Sequence, residues 1–269
     1  MSVRIRLDVS YDGTDFSGWA VQPGRRTVAG EILAVLSRLC GTVEGLTVAG
    51  RTDAGVHATG QVCHVDVPEE RWAALAPALV RKLAGLLPPD VRVLSATEAP
   101  PEFDARFSAL SRRYEYRVTD AESGAAPLRR RDTLAWRRPL DLDRLNAAAA
   151  DLVGEHDFAA FCRRKEHAST IRAVSRMDWR RDPDGTLVAT VAADAFCWSM
   201  VRSLVGAQLV AGDGRRAPHW PATLLSRTAR ADEVMVAPAH GLTLVEVVYP
   251  ADPASLRARA EQTRRRRDL

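Results

Sequence analysis

Apolar and polar residues alternate at the start of the chain: Val3, Ile5, Leu7 and Val9 fall on one side of a two-residue period and predict a half-buried strand. A loop rich in Gly, Pro and Asp follows, over 11–27. Thr27 then stands as a helix cap ahead of Ile32, Val35, Leu36 and Leu39, whose spacing puts them on one helical face. Residues 46–49 and 61–67 read as strands on either side of a polar turn at 50–55. Pro68 and Glu69 open a second helix towards Leu87, with Pro77 predicting a kink, and residues 91–97 read as a strand. The order is β-α-β-β-α-β, the split βαβ or ferredoxin-like arrangement.

The second half repeats the theme. Residues 112–119 are strand-like, with Tyr114, Tyr116 and Val118 on one face, and Asp141 caps an alanine-rich helix running to about Leu152. Residues 171–180 and 186–192 predict a hairpin across the turn Asp182-Pro183-Asp184-Gly185. Helices are expected at 196–210 and 220–227, and a last strand at 242–248. The fold class expected is therefore α+β: two ferredoxin-like halves, 1–105 and 106–269, with mainly antiparallel mixed sheets and helices on one face. The tail from Arg257 to Leu269, including Arg264 to Arg267, reads as a charged helix end or a basic terminus, with a phosphate-contacting arm as the sharper alternative.

Composition narrows the class without naming a function. At 269 residues, 46% hydrophobic and 27% charged, the chain has the make-up of an ordinary globular protein with a substantial core. No apolar run approaches the roughly 20 residues that span a bilayer, and the first ten residues lack a signal-peptide core, so the expected address is the cytoplasm with no membrane partner. The net charge of +4 is compatible with a polyanionic partner, although Lys82 and Lys165 are the only lysines and codon bias accounts for the arginine skew equally well. Cys40, Cys63, Cys162 and Cys197 form no C-x-x-C pair. They predict four reduced core thiols and no metal.

The most informative stretch is Gly50-Arg51-Thr52-Asp53-Ala54-Gly55-Val56-His57, continuing through Gly60-Gln61-Val62. It sets an aspartate in a glycine-bounded turn between two strands, an exposed and anchored place for a reactive side chain. Arg51 stands two positions away and is placed to pair with the Asp53 carboxylate and keep it ionised. An Asx-turn aspartate with a surface ion pair explains the same residues. His57 and His64 suggest general-acid chemistry, but a turn-stabilising role is the simpler account.

This segment resembles the signature of the tRNA pseudouridine synthase A (TruA) family. Tyr11-Asp12-Gly13 with Gly18-Trp19 is similar to the family's N-terminal loop, and Phe103 to Ala109 followed by Arg112-Arg113-Tyr114-Glu115-Tyr116 to its central strand entry. Gly154 to Phe158, Met200-Val201-Arg202 with Gly206, and Gly241-Leu242 resemble later blocks, in the family's order across nearly the whole chain. The resemblance implies the pseudouridine synthase fold and isomerisation of uridine to pseudouridine at positions 38–40 of the tRNA anticodon stem-loop. It implies Asp53 as the catalytic residue, with no cofactor and no metal, and a homodimer. Tyr114 is implied to lie against the flipped base as the candidate for taking the C5 proton; a tyrosine packed on the sheet explains its position otherwise. Arg51, Arg202 and Leu242 are implied in substrate binding; without the resemblance, Arg202 reads as a snorkelling arginine and Leu242 as core. The chain departs from the family where Ala20 and Val21 precede Gln22, and where Ala159, Ala160 and Cys162 occupy a block that often carries hydroxylated residues.

Two other readings are open to the residues. A non-catalytic RNA-binding protein with two RRM-like halves shares the ferredoxin-like order, but residues 61–67 lack the aromatics of an RNP strand. A hydrolase would need a second carboxylate beside Asp53, and neither Asp8, Asp12, Asp15 nor Asp66 is singled out for that part.

Overall fold

The computed structural model describes residues 1–163 and 169–265; Lys165 and the end of the basic tail, 266–269, lie outside the described residues. The chain divides into two compact units, 1–110 with 244–265 and 111–243.

The first unit opens with β1 (Ser2–Tyr11), whose alternation buries Ile5, Leu7 and Val9. Helix α1 (Val28–Cys40) starts where Thr27 Oγ1 accepts the Gly30 N–H, and ends at Gly41, whose φ of 78° suits glycine. It buries Val28, Ile32, Leu36 and Cys40, four residues apart along one face. Each buried aliphatic side chain of this size contributes about 1.5–3 kcal/mol. β2 (Glu44–Val48) and β3 (His57–Pro68) follow, then α2 (Glu69–Leu75) and α3 (Leu79–Leu86), then β4 (Val91–Glu98). The kink expected at Pro77 is a 3₁₀ turn at Ala76–Ala78, where the missing proline N–H interrupts the α ladder.

In this sheet β1 lies between β3 and β4, antiparallel to both, and β2 pairs antiparallel with β3. β3 also borders β10 (Leu242–Val248), so the final strand returns to the first unit. Gly60 is required there, because a Cβ would stand 2.2 Å from the Val245 carbonyl oxygen. Helix α7 (Pro253–Arg264) is capped by Asp252, which accepts the Ser255 N–H. It buries only Leu256 and Ala260, and Arg259 Nε donates to the Ala109 carbonyl.

The second unit begins with β5 (Ser111–Thr119), which buries Arg112, Tyr114, Tyr116 and Val118 on one face. β6 (Leu134–Ala135) pairs parallel with β5, and α4 (Leu142–Ala150) starts under Asp141, whose Oδ1 accepts the N–H groups of Asp143 and Arg144. β7 (Gly154–Asp157), β8 (Ile171–Arg181) and β9 (Leu187–Ala193) complete an antiparallel set in the order β5-β9-β8-β7. Helix α5 (Met200–Gly212) is buried almost all round; the short α6 (Trp220–Thr223) follows. The α+β class and the mainly antiparallel pairing stand as the sequence pattern expects. β7 is too short for its period to be read, and α5 starts four residues later than expected because residues 196–199 form a turn.

Candidate functional site

The turn expected at 50–55 connects β2 to β3, and its backbone is fixed by a second loop from the far end of β1. The Trp19 N–H donates to the Thr52 carbonyl at 3.1 Å. Gly18, at φ 94°, lies so close that a Cβ would stand 2.8 Å from that same oxygen and 3.2 Å from the Asp53 carbonyl carbon. Gly13 packs on the other shoulder, where a Cβ would be 2.0 Å from the Val56 carbonyl oxygen. The turn closes on itself through Val56 N–H to Asp53 C=O at 3.2 Å, with Gly55 at φ 78°.

Side chains brace the turn from beneath. Gln61, fully buried on β3, donates through Nε2 to the Gly50 carbonyl at 2.8 Å and to the Tyr11 hydroxyl at 3.2 Å. The Tyr11 hydroxyl in turn shares a hydrogen bond with Thr52 Oγ1, 2.8 Å away. The result is a buried chain, Gln61 to Tyr11 to Thr52, ending one residue before Asp53. Asp53 itself is half-buried while Arg51 is exposed. The contacts that hold the aspartate's loop run through its backbone and through Thr52.

Both histidines are structural. His57 Nδ1 accepts the Gly13 N–H at 3.0 Å, which leaves that nitrogen without a proton for Asp12 Oδ1, 3.2 Å away. The hydrogen bond from a rigid backbone donor is the better-defined of the two contacts, and the Asp12 approach becomes an ion pair only if the ring is protonated. His64 Nδ1 accepts the Ala105 N–H at 3.0 Å. Burial, and secondarily the positive charge of Arg4, push the His64 pKa down to about 4. It is therefore neutral at physiological pH and unsuited to act as a general acid.

In the second unit, Tyr114 sits opposite Val191 of β9, only 7% exposed, with the Phe196 ring edge-on at 5.3 Å and 86°. Tyr116, two residues on, is completely buried and donates to the Pro238 carbonyl at 2.8 Å; burial raises its pKa. Its hydroxyl is thus committed to structure. Arg202 clasps the segment that precedes β10: its Nε donates to the Ala237 carbonyl at 2.7 Å, and its own carbonyl accepts the Ala237 N–H at 3.0 Å. One turn later Gly206 lets that segment approach, since a Cβ would stand 1.9 Å from the Met235 oxygen. Gly241 lies on the Tyr116 ring, 2.6 Å from a Cβ position, and Leu242 is buried beside it. The structure thus gathers Tyr116, Arg202, Gly241 and Leu242 around residues 235–242. Arg51 and Asp53 are carried by the first unit, and Tyr114, Arg202 and Leu242 by the second.

Several of these partners carried no assigned role in the sequence. Tyr11 and Gln61 lie in recognisable blocks, but Tyr11 meets Thr52 across 41 residues and Gln61 meets Tyr11 across 50, contacts brought about by the pairing of β1 with β3. The cysteine expectation is corrected in part. Cys40 and Cys63 are free and buried, whereas Cys162 and Cys197 are joined as a disulfide with their Cα atoms 5.8 Å apart. Separated by 35 residues, they gave no spacing signal. Among the described residues no group of three or more His, Cys, Asp or Glu side chains could hold a metal ion, and no helix is long and apolar enough to cross a membrane.

Known proteins are similar to this chain along nearly its whole length. A family profile described as tRNA pseudouridine synthase matches residues 148–250. The tRNA pseudouridine synthase A of Frankia casuarinae is 60% identical over 97% of this chain and 94% of its own length. That of Streptomyces griseus is 58% identical over 99% and 95%, and that of Mycobacterium leprae 51% identical over 93% and 91%. Identity at this level extends over both units, and the chain is a member of the tRNA pseudouridine synthase A family.

Proposed function

We propose that this isomerase converts uridine to pseudouridine at positions 38–40 of the tRNA anticodon stem-loop, with Asp53 as its catalytic carboxylate. Membership of the family supplies the reaction class. The observation that supports the assignment of Asp53 is its placement: a half-buried carboxylate on a turn whose backbone is held by Gly13, Gly18, Trp19, Tyr11 and Gln61. Catalytic groups fixed in this way lose little freedom on reaching the transition state.

The reaction breaks the bond between ribose C1′ and uracil N1, turns the base, and rejoins it through C5, which gives up its proton. Atoms and oxidation state are conserved, so the chemistry asks for a nucleophile or base and a proton acceptor. Asp53 serves as the first, by attack at C1′ or at C6 or by promoting elimination. Stacking hides the target base, which is flipped from the RNA before reaction. Tyr114 then meets the flipped base and stands as the acceptor of the C5 proton, while Arg51, Arg202 and Leu242 bind the substrate. We read the working enzyme as a cytoplasmic homodimer whose basic surface contacts tRNA phosphates, which gives an affinity that falls steeply with salt.

The test is tritium release from tRNA labelled at uridine C5, with Asp53→Asn beside the native enzyme. Release by the native enzyme and none by the variant supports the assignment. Equal release by both removes Asp53 from its central part, and release of free uracil turns the reaction into hydrolysis.

A further inference from the structure

The turn at 196–199 covers Tyr114, and three contacts fasten it to the segment that follows Phe161. Cys197 is joined to Cys162, the Arg163 N–H donates to the Trp198 carbonyl at 3.0 Å, and the Arg163 guanidinium lies 4.6 Å from the Trp198 ring centre. Beside them Ser199 has φ 64°, the only positive φ outside glycine among the described residues. A serine held in the left-handed region marks a place where surrounding contacts impose the backbone. Phe196, at the other end of the turn, lies edge-on to Tyr114 and helps keep that ring 93% covered, as its 7% exposure shows.

We propose that Cys162 and Cys197 are a modification site: a dithiol that a hydroperoxide oxidises to a reversible disulfide, latching Phe196 over Tyr114 and slowing uridine turnover. Their Cα separation of 5.8 Å lies within the range a disulfide spans without backbone movement. Cys197 is half-buried and Cys162 wholly buried, which sets the order of events. The Cys197 thiolate attacks one peroxide oxygen, the O–O bond breaks, and water leaves behind a sulfenic acid. The Cys162 sulfur then attacks the Cys197 sulfur, the S–O bond breaks, and a second water departs as the S–S bond forms. Two electrons pass from the two sulfurs to hydrogen peroxide, and a thiol reductant reverses the step. The kinetic consequence rests on the reading of Tyr114 as the residue that meets the base, because a uracil reaching that ring must displace Phe196.

The full-length enzyme is treated with hydrogen peroxide or with dithiothreitol, alkylated, digested and mapped by mass spectrometry, and both forms are assayed by tritium release. The expected result is a linked Cys162–Cys197 peptide after peroxide alone, with Cys40 and Cys63 still alkylated once the protein is unfolded. The oxidised form is expected to melt about 5 °C or more higher. Its kcat is expected to be at least about fivefold lower, recovering with dithiothreitol. Cys197→Ser and Cys162→Ser should each keep the reduced native kcat; the first should not react at this site, and the second should stop at a Cys197 sulfenic acid with no linked peptide and no fivefold loss of kcat, which separates the pair from oxidation of methionines. Absence of the linked peptide overturns the site, and a linked enzyme with unchanged kcat overturns the latch. Native turnover by Tyr114→Ala overturns the base-contact reading and the kinetic arm with it, while the peptide map judges the disulfide independently.

Discussion

The loop at 50–56 and the turn at 196–199 each sit beside a residue of the candidate set, yet they are secured differently. The first rests on buried hydrogen bonds and on glycines too close to their neighbours to carry a side chain. The second is fastened near the surface by a half-exposed tryptophan, a guanidinium, one backbone hydrogen bond and a pair of sulfurs. To loosen the first loop, the end of β1 and the start of β3 must come apart, which amounts to opening the sheet of the first unit. The second meets β5 through the Phe196 ring and α5 through hydrogen bonds to the first turn of that helix, so its opening engages fewer contacts than opening a sheet. Local and global openings of this kind are separate levels of stability within one protein, and a carboxylate that must not move belongs with the deeper of them.

The largest effect expected is on the reaction itself. Asp53→Asn should lower kcat by about a thousandfold or more, a barrier increase of about 4 kcal/mol, with the melting temperature nearly unchanged. A matching fall in stability would mean that the aspartate is structural. Next comes Gly13→Ala, which drives a methyl into the Val56 carbonyl. It should destabilise by about 3 kcal/mol and lower kcat as well. Stability unchanged in urea unfolding would show that the loop is less tightly held than the contacts require.

The pH dependence follows in size. His64 has a folded pKa of about 4, below its ordinary 6.5, so the unfolded chain binds the proton first. Its contribution is complete above about pH 6.5 and is lost as pH falls towards 4, reaching about 2–3 kcal/mol by pH 4.5. Unfolding curves at pH 7 and 4.5 should show His64→Gln losing less over this interval than the native chain. Tyr11→Phe removes the hydroxyl that joins Gln61 to Thr52, and should cost about 1–3 kcal/mol. Its kcat should fall further than its KM rises, as expected for a residue that positions Asp53 without touching substrate. The smallest effect belongs to the other region. Ser199→Gly relieves the left-handed backbone but adds freedom to the unfolded chain, so stability should change by less than about 1 kcal/mol. A cost equal to that of Gly13→Ala would erase the contrast between the two regions.

Much of this was legible from near neighbours along the chain. Thr27, Asp141 and Pro77 act within one or two turns of themselves, and each does what its residue type implies: a cap, a cap, and a break in a helix. The alternation in β1 and β5 placed Ile5, Leu7, Tyr114 and Tyr116 on buried faces because side-chain direction in a strand has a period of two. The glycine-bounded turn at 50–55 was visible too, since its punctuation is local. What holds that turn was not visible. The braces come from Tyr11 and Gln61, which reach Thr52 and Gly50 from β1 and β3.

By itself, then, the sequence determined the kind of each long element, the alternating faces and the place of the reactive turn, because these depend on backbone preferences over a few residues. Only the tertiary structure decided that β10 returns to the first unit, that Gln61 and Tyr11 support Thr52, and that Cys162 meets Cys197. Those outcomes depend on which strands pair and on how closely two backbones approach. Such contacts join residues 35 or more positions apart, beyond the reach of any periodic signal.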